Sequence, residues 1–393
     1  MTDVNRADEI AKLGDIAAGA GLRRIHLVSW RDLDDVEAGG SEVHAATIAT
    51  LWAEAGIEVL LRTSYAQGHP PRTRRDGYEV VRKGGRYMIF PRAAINEVVH
   101  RYGDRDGLVE IWNGMPFFSP LWATGPRVVF LHHVHAEMWQ MVLPPRLAAI
   151  GDAVERRVAP LLYRRSQVIT LSKSSKDELV DELGYKAHRV SVVPPGVDPA
   201  FSVGTTPKSP HPLVVAAGRL VPVKRYDVLI EALVALKDRQ PALEAVLVGE
   251  GYERQALTAQ IARHDAASWL HLPGRLPLVE LIELYRRAWV LTSASVREGW
   301  GMTITEAAAC GTPAVVTDIN GHADAVSAGR SGLLVEGGQG LTEGLATVLS
   351  DDVLRARLSA GALAHAASFT WAATATGTLQ VLANEADRRH RRR

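Results

Sequence analysis

The sequence has little cysteine and no long apolar segment. Its 393 residues include one cysteine, Cys310, which excludes a disulfide framework within the chain and a zinc site built on several cysteines. No apolar run reaches the roughly 18 residues that a membrane-spanning helix needs. The first residues also lack the apolar core of a signal peptide. We therefore expect a cytoplasmic protein, with the cytoplasmic face of the membrane as an alternative location.

Net charge is almost absent as well. The 45 Lys and Arg residues nearly balance the 44 Asp and Glu residues, so the overall charge of +1 does not indicate a nucleic-acid partner. Basic residues are nevertheless concentrated in residues 62–92 and in the terminal segment ADRRHRRR, residues 386–393. A solvated loop and a solvated tail are the plain interpretations, and peripheral contact with an anionic membrane is the alternative.

Predicted strands and helices alternate along most of the chain. Short β-branched runs, such as residues 23–30 and 127–133, alternate with helical patterns, which is typical of parallel sheets covered by helices. Residues 202–212 are rich in Pro, Ser and Thr and predict a linker, after which the alternation restarts. We therefore predict an α/β protein with two doubly wound units. The carboxyl ends of the strands, at a cleft between the units, are the expected place for a ligand.

Two cations follow the first strand of the second half, in AAGRLVPVKRYD (216–227). The strand ends at Gly218, and Arg219 and Lys224 come directly after it. A guanidinium fork and an ammonium at the carboxyl end of a parallel strand suit a diphosphate. Two ordinary exposed cations are the alternative.

Glycines follow two other predicted strands. Gly249 and Gly251, in LVGEGYER, suit close approach of a phosphate, or else a tight turn that needs glycine. Gly39 and Gly40 precede the first long helix, whose N-terminus favours an anion. As an alternative for that segment, Ser41 caps the helix and Glu42 occupies its first turn.

Three histidines, His132, His133 and His135, end the strand in FLHHVHAEMW (130–139). A zinc site there would need further ligands, and no helical histidine pair or cysteine cluster supplies them. We predict no metal, and we expect a histidine at this strand end to donate a hydrogen bond to a substrate.

Two glutamates frame the segment REGWGMTITEAAACGTPAV (297–315). Glu298 leaves a strand, and Gly299 and Gly301 open the loop behind it. The amides near Met302 and Thr303 start a helix and suit a phosphate. The spacing from Thr303 to Glu306 predicts a capping box, which explains Glu306 structurally and leaves Glu298 unexplained.

Taken together, these segments resemble the retaining GT-B glycosyltransferases of family 4 (glycosyl transferases group 1). The resemblance rests on E-x7-E from Glu298 to Glu306 and on GRLVPVKR, VVPPGVD and GGSE in the same order. Trp300 stands where the family has Phe, which affects the packing of the sugar pocket. The family implies a GT-B fold, with two Rossmann-like doubly wound domains facing a cleft. We expect an acceptor-binding domain over residues 1–202, a nucleotide-sugar domain over 203–372, and a helix crossing back plus the basic tail over 373–393.

The resemblance also implies site residues. His132 would lie beside the transferred sugar, Glu298 would bind its hydroxyls, and Glu306 would bind the ribose. The remaining donor contacts would come from cations and loop backbone: Arg219, Lys224, Arg275, Gly39, Gly40, Gly218, Gly249, Gly251, Gly299, Gly301, Met302 and Thr303.

The implied activity is retaining transfer of a hexosyl group from a nucleotide-diphosphate sugar, with GDP-mannose or a UDP-hexose favoured. The acceptor would be a hydroxyl of a glycan, a lipid-linked sugar or a small molecule. Because Arg219, Lys224 and a helix N-terminus can stabilise the leaving diphosphate, we expect no metal and no cofactor. A nucleotide-sugar epimerase on the same fold, or an inactive sugar-nucleotide-binding protein, is the alternative.

Overall fold

The computed structural model describes residues 3–391, so Arg392 and Arg393 of the basic tail lie outside the described residues. The chain divides into two compact units. The first comprises Met1–Gly196 and Thr370–Arg393, and the second comprises Val197–Phe369. Within residues 3–391, no helix is both long enough and apolar enough to cross a bilayer.

Each unit contains one sheet. The strands of the first are β1 (Arg24–Val28), β2 (Glu58–Thr63), β3 (Arg72–Arg75), β4 (Tyr78–Arg82), β5 (Gly107–Trp112), β6 (Arg127–Leu131), β7 (Gln167–Thr170) and β8 (Val190–Val192). Those of the second are β9 (Leu213–Ala217), β10 (Glu244–Val248), β11 (Leu270–Gly274), β12 (Val290–Ser293), β13 (Ala314–Thr317) and β14 (Gly332–Val335).

Helices connect the strands. They are α1 (Asp3–Gly19), α2 (Gly40–Glu54), α3 (Ile89–Val98), α4 (Ser119–Trp122), α5 (Met138–Val142), α6 (Pro145–Ala153), α7 (Ala159–Tyr163), α8 (Lys173–Asp181), α9 (Tyr226–Lys237), α10 (Arg254–Arg263), α11 (Leu278–Arg287), α12 (Met302–Ala309), α13 (His322–Ala325), α14 (Gly337–Ser350), α15 (Asp352–Ala366) and α16 (Trp371–His390). A π-helical turn, Val154–Val158, joins α6 to α7, and short 3-10 turns lie at Ala187–Arg189 and Pro222–Lys224.

The sheet of the second unit has the order β11-β10-β9-β12-β13-β14, and its neighbours pair in parallel. Its first strand in the chain, β9, therefore lies in the middle, and the chain winds outwards from it in both directions. Such an order creates a switch point between β9 and β12, where the loops after the two strands diverge and leave room for a ligand. The predicted doubly wound α/β architecture is confirmed here.

The sheet of the first unit has the order β3-β4-β2-β1-β5-β6-β7-β8, with its switch point between β1 and β5. Helix α16, from the end of the chain, packs on this unit. The indole nitrogen of Trp52 in α2 donates to the carbonyl of Ala375 (3.2 Å), and Leu379 and Leu382 are fully buried. The last helix thus contributes core residues to the unit that the start of the chain builds.

Residues 62–92 are not a solvated loop, and that interpretation is wrong. They contain β3 and β4, which form an antiparallel hairpin at the edge of an otherwise parallel sheet. Asp76 (φ 43°) and Gly77 (φ 89°) form its two-residue turn. An Asp-Gly pair between extended residues is a strong hairpin signal, because both positions of this turn need positive φ.

Candidate active site

The switch point of the second sheet brings together two residues that the sequence analysis selected. Lys224 ends the 3-10 turn after β9, and Glu298 lies in the loop after β12. The ammonium of Lys224 forms an ion pair with Oε1 of Glu298, and the hydroxyl of Ser295 donates to the same oxygen at 2.9 Å. Burial alone would raise the pKa of Glu298, but the neighbouring ammonium outweighs burial and holds it below its ordinary value. Glu298 is therefore a carboxylate that can accept hydrogen bonds from hydroxyl groups.

Arg219 lies beside this pair without being part of it. Its side chain is exposed, and no residue within the described range 3–391 forms a hydrogen bond or ion pair with its guanidinium. Gly218, the preceding residue, lies against Lys224, because a Cβ on Gly218 would be 3.6 Å from Cε of the lysine. Both cations thus border the carboxyl end of β9, and the guanidinium of Arg219 is available for an anion.

The glycines of LVGEGYER are needed by the fold itself. A Cβ on Gly249 would lie 1.8 Å from the carbonyl oxygen of Gly218, and a Cβ on Gly251 would lie 2.2 Å from that of Leu220. These distances explain both glycines through close packing of the loops after β9 and β10. A donor contact for Gly218, Gly249 and Gly251 stays a prediction, as it does for Arg275, which is exposed in the loop after β11.

Helix α12 starts next to Glu298. Gly301 is its N-cap and has φ 103°, a left-handed conformation that favours glycine. The amides of Met302 and Thr303 have no acceptor among the described residues, as expected for the first turn of a helix whose N-cap has no side chain. Free amides and the positive end of the helix make this turn suited to a phosphate.

The predicted capping box from Thr303 to Glu306 is wrong. The N-cap is Gly301, so Thr303 lies inside the first turn, and the carboxylate of Glu306 has no hydrogen-bond partner within residues 3–391. Burial, together with the neighbouring carboxylate of Asp198, raises the pKa of Glu306 to about 7. Helix capping therefore does not explain Glu306, which is a partly buried carboxyl group without a hydrogen-bond partner.

In the first unit, Gly39 and Gly40 lie at the start of α2. Gly39 is the N-cap, and the carboxylate of Glu42 accepts from its amide at 2.8 Å. Ser41 is not the cap, so that part of the alternative is wrong, whereas Glu42 does lie in the first turn. Its hydroxyl instead accepts from the side-chain amide of Asn113, the residue after β5, at 2.7 Å. The two glycines thus lie at the switch point of their own sheet, between the loops after β1 and β5.

His132 follows β6 and is 4% exposed. Neither of its ring nitrogens has a hydrogen-bond partner in the described chain, and burial lowers its pKa to about 4. Its ring contacts that of His44 in α2, with 5.0 Å between the centroids. His133 and His135 stack on each other instead (4.6 Å). Among residues 3–391, no group of three His, Cys, Asp or Glu side chains is arranged to hold a metal ion.

The basic cluster of residues 62–92 is largely neutralised within its own unit. Arg75 and Arg82 both contact Asp32 and Asp34, with the shortest nitrogen–oxygen distances at 2.6 and 2.7 Å. Arg72 pairs with Glu79, Arg86 with Glu37, and Arg62 with Glu97. Arg74, Lys83 and Arg92 form no ion pair with any described residue, and Arg74 donates to the carbonyl of Gly77. Most of the cluster therefore stabilises the hairpin and the loop after β1.

Three polar residues around Glu298 were missed by the sequence analysis. They are Ser295, Thr317 and His322, which form a buried hydrogen-bonded chain that ends at the carboxylate. The sequence offered little signal for them: Ser295 follows β12 closely, Thr317 is the last residue of β13, and His322 begins α13. Trp300, which departs from the family pattern, packs its ring edge-on against Phe369 at 4.9 Å, within the second unit.

The raised pKa of Glu306 predicts a dependence of stability on pH. The folded state binds this proton more tightly than the unfolded state, whose pKa is about 4.5. The free energy of unfolding should therefore fall as pH rises from about 4.5 to 7, by roughly 2–3 kcal/mol. Glu306→Gln should remove this loss, whereas Glu244→Gln, at an exposed glutamate of β10, should keep it. Urea unfolding at several pH values measures both, and a parallel pH dependence in wild type and Glu306→Gln contradicts the assignment.

The site can now be compared with known proteins. Residues 38–201 match the model of Glycosyltransferase Family 4, and residues 200–365 match that of Glycosyl transferases group 1. The D-inositol 3-phosphate glycosyltransferase of Paenarthrobacter aurescens (strain TC1) is 29% identical over 384 residues, which is 88% of this chain and 92% of that protein.

Solved structures agree on the fold. Sucrose-phosphate synthase from Thermosynechococcus elongatus superimposes with a TM-score of 0.76 at 18% identity, over 94% of this chain and 98% of that chain. Anabaena Alr3699/HepE, in complex with UDP and glucose, superimposes with a TM-score of 0.69 at 21% identity, over 91% and 97%. The predicted GT-B fold is thereby confirmed. Because the two family models together cover residues 38–365, the chain belongs to the glycosyltransferases that combine a family 4 domain with a group 1 domain.

Proposed function

We propose that this glycosyltransferase moves a hexosyl group, with retention of configuration, from a UDP-hexose to a hydroxyl of a small phosphorylated acceptor, without a metal. One observation carries the proposal: the Lys224–Glu298 pair lies at the switch point of the second sheet, beside the free first turn of α12. The pair supplies a cation for the diphosphate and a carboxylate for the sugar at the same strand ends.

The donor would be held by the second unit. Arg219 and Lys224 would contact the diphosphate together with the amides of Met302 and Thr303. Glu298 would accept from hydroxyls of the sugar, and Glu306, which lacks a protein partner, from the ribose. As the bond to the sugar breaks, negative charge grows on the leaving diphosphate, and these fixed positive groups stabilise it.

The choice of UDP as the donor nucleotide is supported by Anabaena Alr3699/HepE, whose structures contain UDP, UDP-glucose, or UDP and glucose. That protein shares the fold at 21% identity. We therefore choose the UDP-hexose over GDP-mannose. GDP-mannose remains an alternative outcome of the binding test below.

Retention would follow from attack on the face that the leaving group occupies. The bond from the anomeric carbon to the phosphate oxygen breaks, the bond to the acceptor oxygen forms, and the acceptor proton passes to the departing phosphate. No carboxylate nucleophile is needed in this scheme. His132 is neutral at pH 7 because of its lowered pKa. It can donate a hydrogen bond from an unpartnered ring nitrogen to the transferred sugar without adding charge.

The acceptor class is supported by the D-inositol 3-phosphate glycosyltransferases, which match over most of the chain. A phosphorylated polyol needs a cation with no internal partner. Within the cluster of residues 62–92, Lys83 satisfies this condition and follows β4, at the carboxyl edge of the first sheet. We infer that Lys83 binds the acceptor phosphate. Peripheral contact of the basic terminal segment with an anionic membrane stays a prediction.

Donor binding is tested by thermal shift with UDP, GDP, ADP and their sugars, each with magnesium and with EDTA. UDP should raise the melting temperature in EDTA, since a ligand at a hundred times its Kd adds about 2.7 kcal/mol of stability. Arg219→Ala should weaken UDP binding about tenfold or more, the size of a lost charged hydrogen bond. Arg357→Ala, at an exposed arginine of α15, should leave binding unchanged. No shift with any nucleotide, or equal affinities in both variants, contradicts the donor site.

Retention is tested by the configuration of the product. With UDP-α-glucose and an inositol phosphate as substrates, proton NMR of the purified product should show an α linkage. A β linkage would contradict same-face attack. Recovery of an epimerised nucleotide sugar without transfer would instead support the epimerase alternative.

The acceptor assignment is tested by Lys83→Ala. Loss of a charged hydrogen bond should raise the KM for a phosphorylated polyol about tenfold, while the KM for the donor and the rate with an unphosphorylated polyol stay unchanged. Lys186→Ala, at an exposed lysine of the same unit, is the matched control. If the two variants behave alike, Lys83 does not bind the phosphate.

A further inference from the structure

The loop that carries Glu298 is contacted by the residues that follow β13. Gly321 (φ 85°) precedes α13, and a Cβ there would lie 2.6 Å from the carbonyl oxygen of Glu298 and 2.8 Å from the amide nitrogen of Trp300. The start of α13 therefore lies directly on the backbone of the Glu298 loop, and only glycine permits this approach. The next residue, His322, therefore lies at the same edge of the sheet.

A continuous polar chain joins His322 to Glu298. Nδ1 of His322 lies 2.9 Å from the carbonyl oxygen of Thr317 and 3.3 Å from its hydroxyl. The Thr317 hydroxyl donates to the carbonyl of Ser295 at 2.6 Å, and the Ser295 hydroxyl donates to Glu298 at 2.9 Å. Since a carbonyl only accepts, the proton of the neutral His322 ring must lie on Nδ1.

The hydrogen-bonded chain formed by His322, Thr317 and Ser295 is buried. Ser295 is 0% exposed and His322 is 1% exposed. Burial lowers the pKa of His322, while the charge of Glu298 acts in the opposite direction. The ring also reaches the start of α12, because a Cβ on Gly301 would lie 3.2 Å from Cδ2 of His322. A buried polar chain with all its members bonded fixes one geometry, and here it contacts both the sugar-binding carboxylate and the phosphate-binding turn.

We propose that His322 is a positioning residue, which acts through Thr317 and Ser295 to hold the Glu298 carboxylate in the orientation that accepts from the donor sugar. The proposal rests on the proposed function, since it assumes that Glu298 binds the sugar of the donor. It assigns His322 no direct contact with substrate. Its consequence is specific: loss of the chain should weaken recognition of the sugar and spare that of the nucleotide.

The test compares UDP with UDP-glucose, both measured by isothermal titration on the full-length protein. In wild type, UDP-glucose should bind more tightly than UDP. His322→Leu removes the donor to Thr317 and should reduce that preference about tenfold, with UDP affinity unchanged. His322→Gln, whose amide can donate to the same carbonyl, should recover most of the preference. Equal preferences in wild type and His322→Leu overturn the proposal, as does equal loss of both ligands.

A second variant protects the test against misfolding. Thr317→Val cuts the chain and keeps the histidine, so it should also lower the preference for UDP-glucose. Its matched control is Thr292→Val, at a buried threonine of β12 whose hydroxyl has no partner among the described residues. If His322→Leu does not fold, the Thr317→Val result decides alone. If the wild-type protein binds neither UDP nor UDP-glucose, the proposed donor is wrong. If it binds both and the substitutions do not change its preference for UDP-glucose, only the positioning role of His322 is wrong.

A pH profile separates positioning from packing. The charged groups that face His322 are Glu298, Lys224 and Asp318, from the loops after β12, β9 and β13. Protonation of Nε2 places a second cation beside Lys224, which should pull Glu298 away from the sugar. The preference of wild type for UDP-glucose should therefore fall on acidification, and that of His322→Gln should fall less. Parallel profiles in the two proteins contradict the positioning role.

Discussion

The ion pair between Lys224 and Glu298 is the interaction on which the second unit is organised. Its two residues are 74 positions apart in the chain, and the sheet order brings them together because β9 and β12 are neighbours. The two side chains keep only 22% and 16% of their exposure, so further hydrogen bonds are needed to offset the hydration that the pair has lost. Ser295 supplies one, and the network behind it reaches His322. The surrounding glycines let three loops approach the pair closely enough to enclose it.

The fold was largely predictable, because it depends on patterns that are local in sequence. Alternation of apolar strands with helical periods indicated two parallel sheets, and the glycines and cations after the strands indicated their carboxyl ends. The hairpin of residues 72–82 was missed although Asp76-Gly77 signals it, because its flanking residues are mostly arginine and do not resemble a strand. Three of those arginines, Arg72, Arg75 and Arg82, form ion pairs, so a segment whose composition suggests a solvated loop is in fact largely paired.

The site was predictable only in part, for two physical reasons. Thr303 and Glu306 have the spacing of a capping box, but the helix starts two residues earlier, with Gly301 as its N-cap at a φ of 103° that favours glycine. The spacing of two side chains therefore did not locate the start of the helix. The network of Ser295, Thr317 and His322 depends on which strands are neighbours in the sheet, and spacing along one chain does not contain that information.

Two of the candidate site residues carry polar groups that have no partner among the described residues. Burying a polar atom without a hydrogen bond costs free energy, and folded proteins rarely leave such atoms. In the first unit both ring nitrogens of His132 are buried without a partner, and in the second the partly buried carboxylate of Glu306 has no hydrogen-bond partner within residues 3–391. Neither residue forms a side-chain hydrogen bond within its own unit, so no such bond offsets the free-energy cost of burying it. A hydroxyl-rich ligand offers both donors and acceptors, so a ligand bound at either residue would satisfy the group that folding leaves without a partner. The cost of burying that group in the free protein would then be recovered as affinity for the ligand.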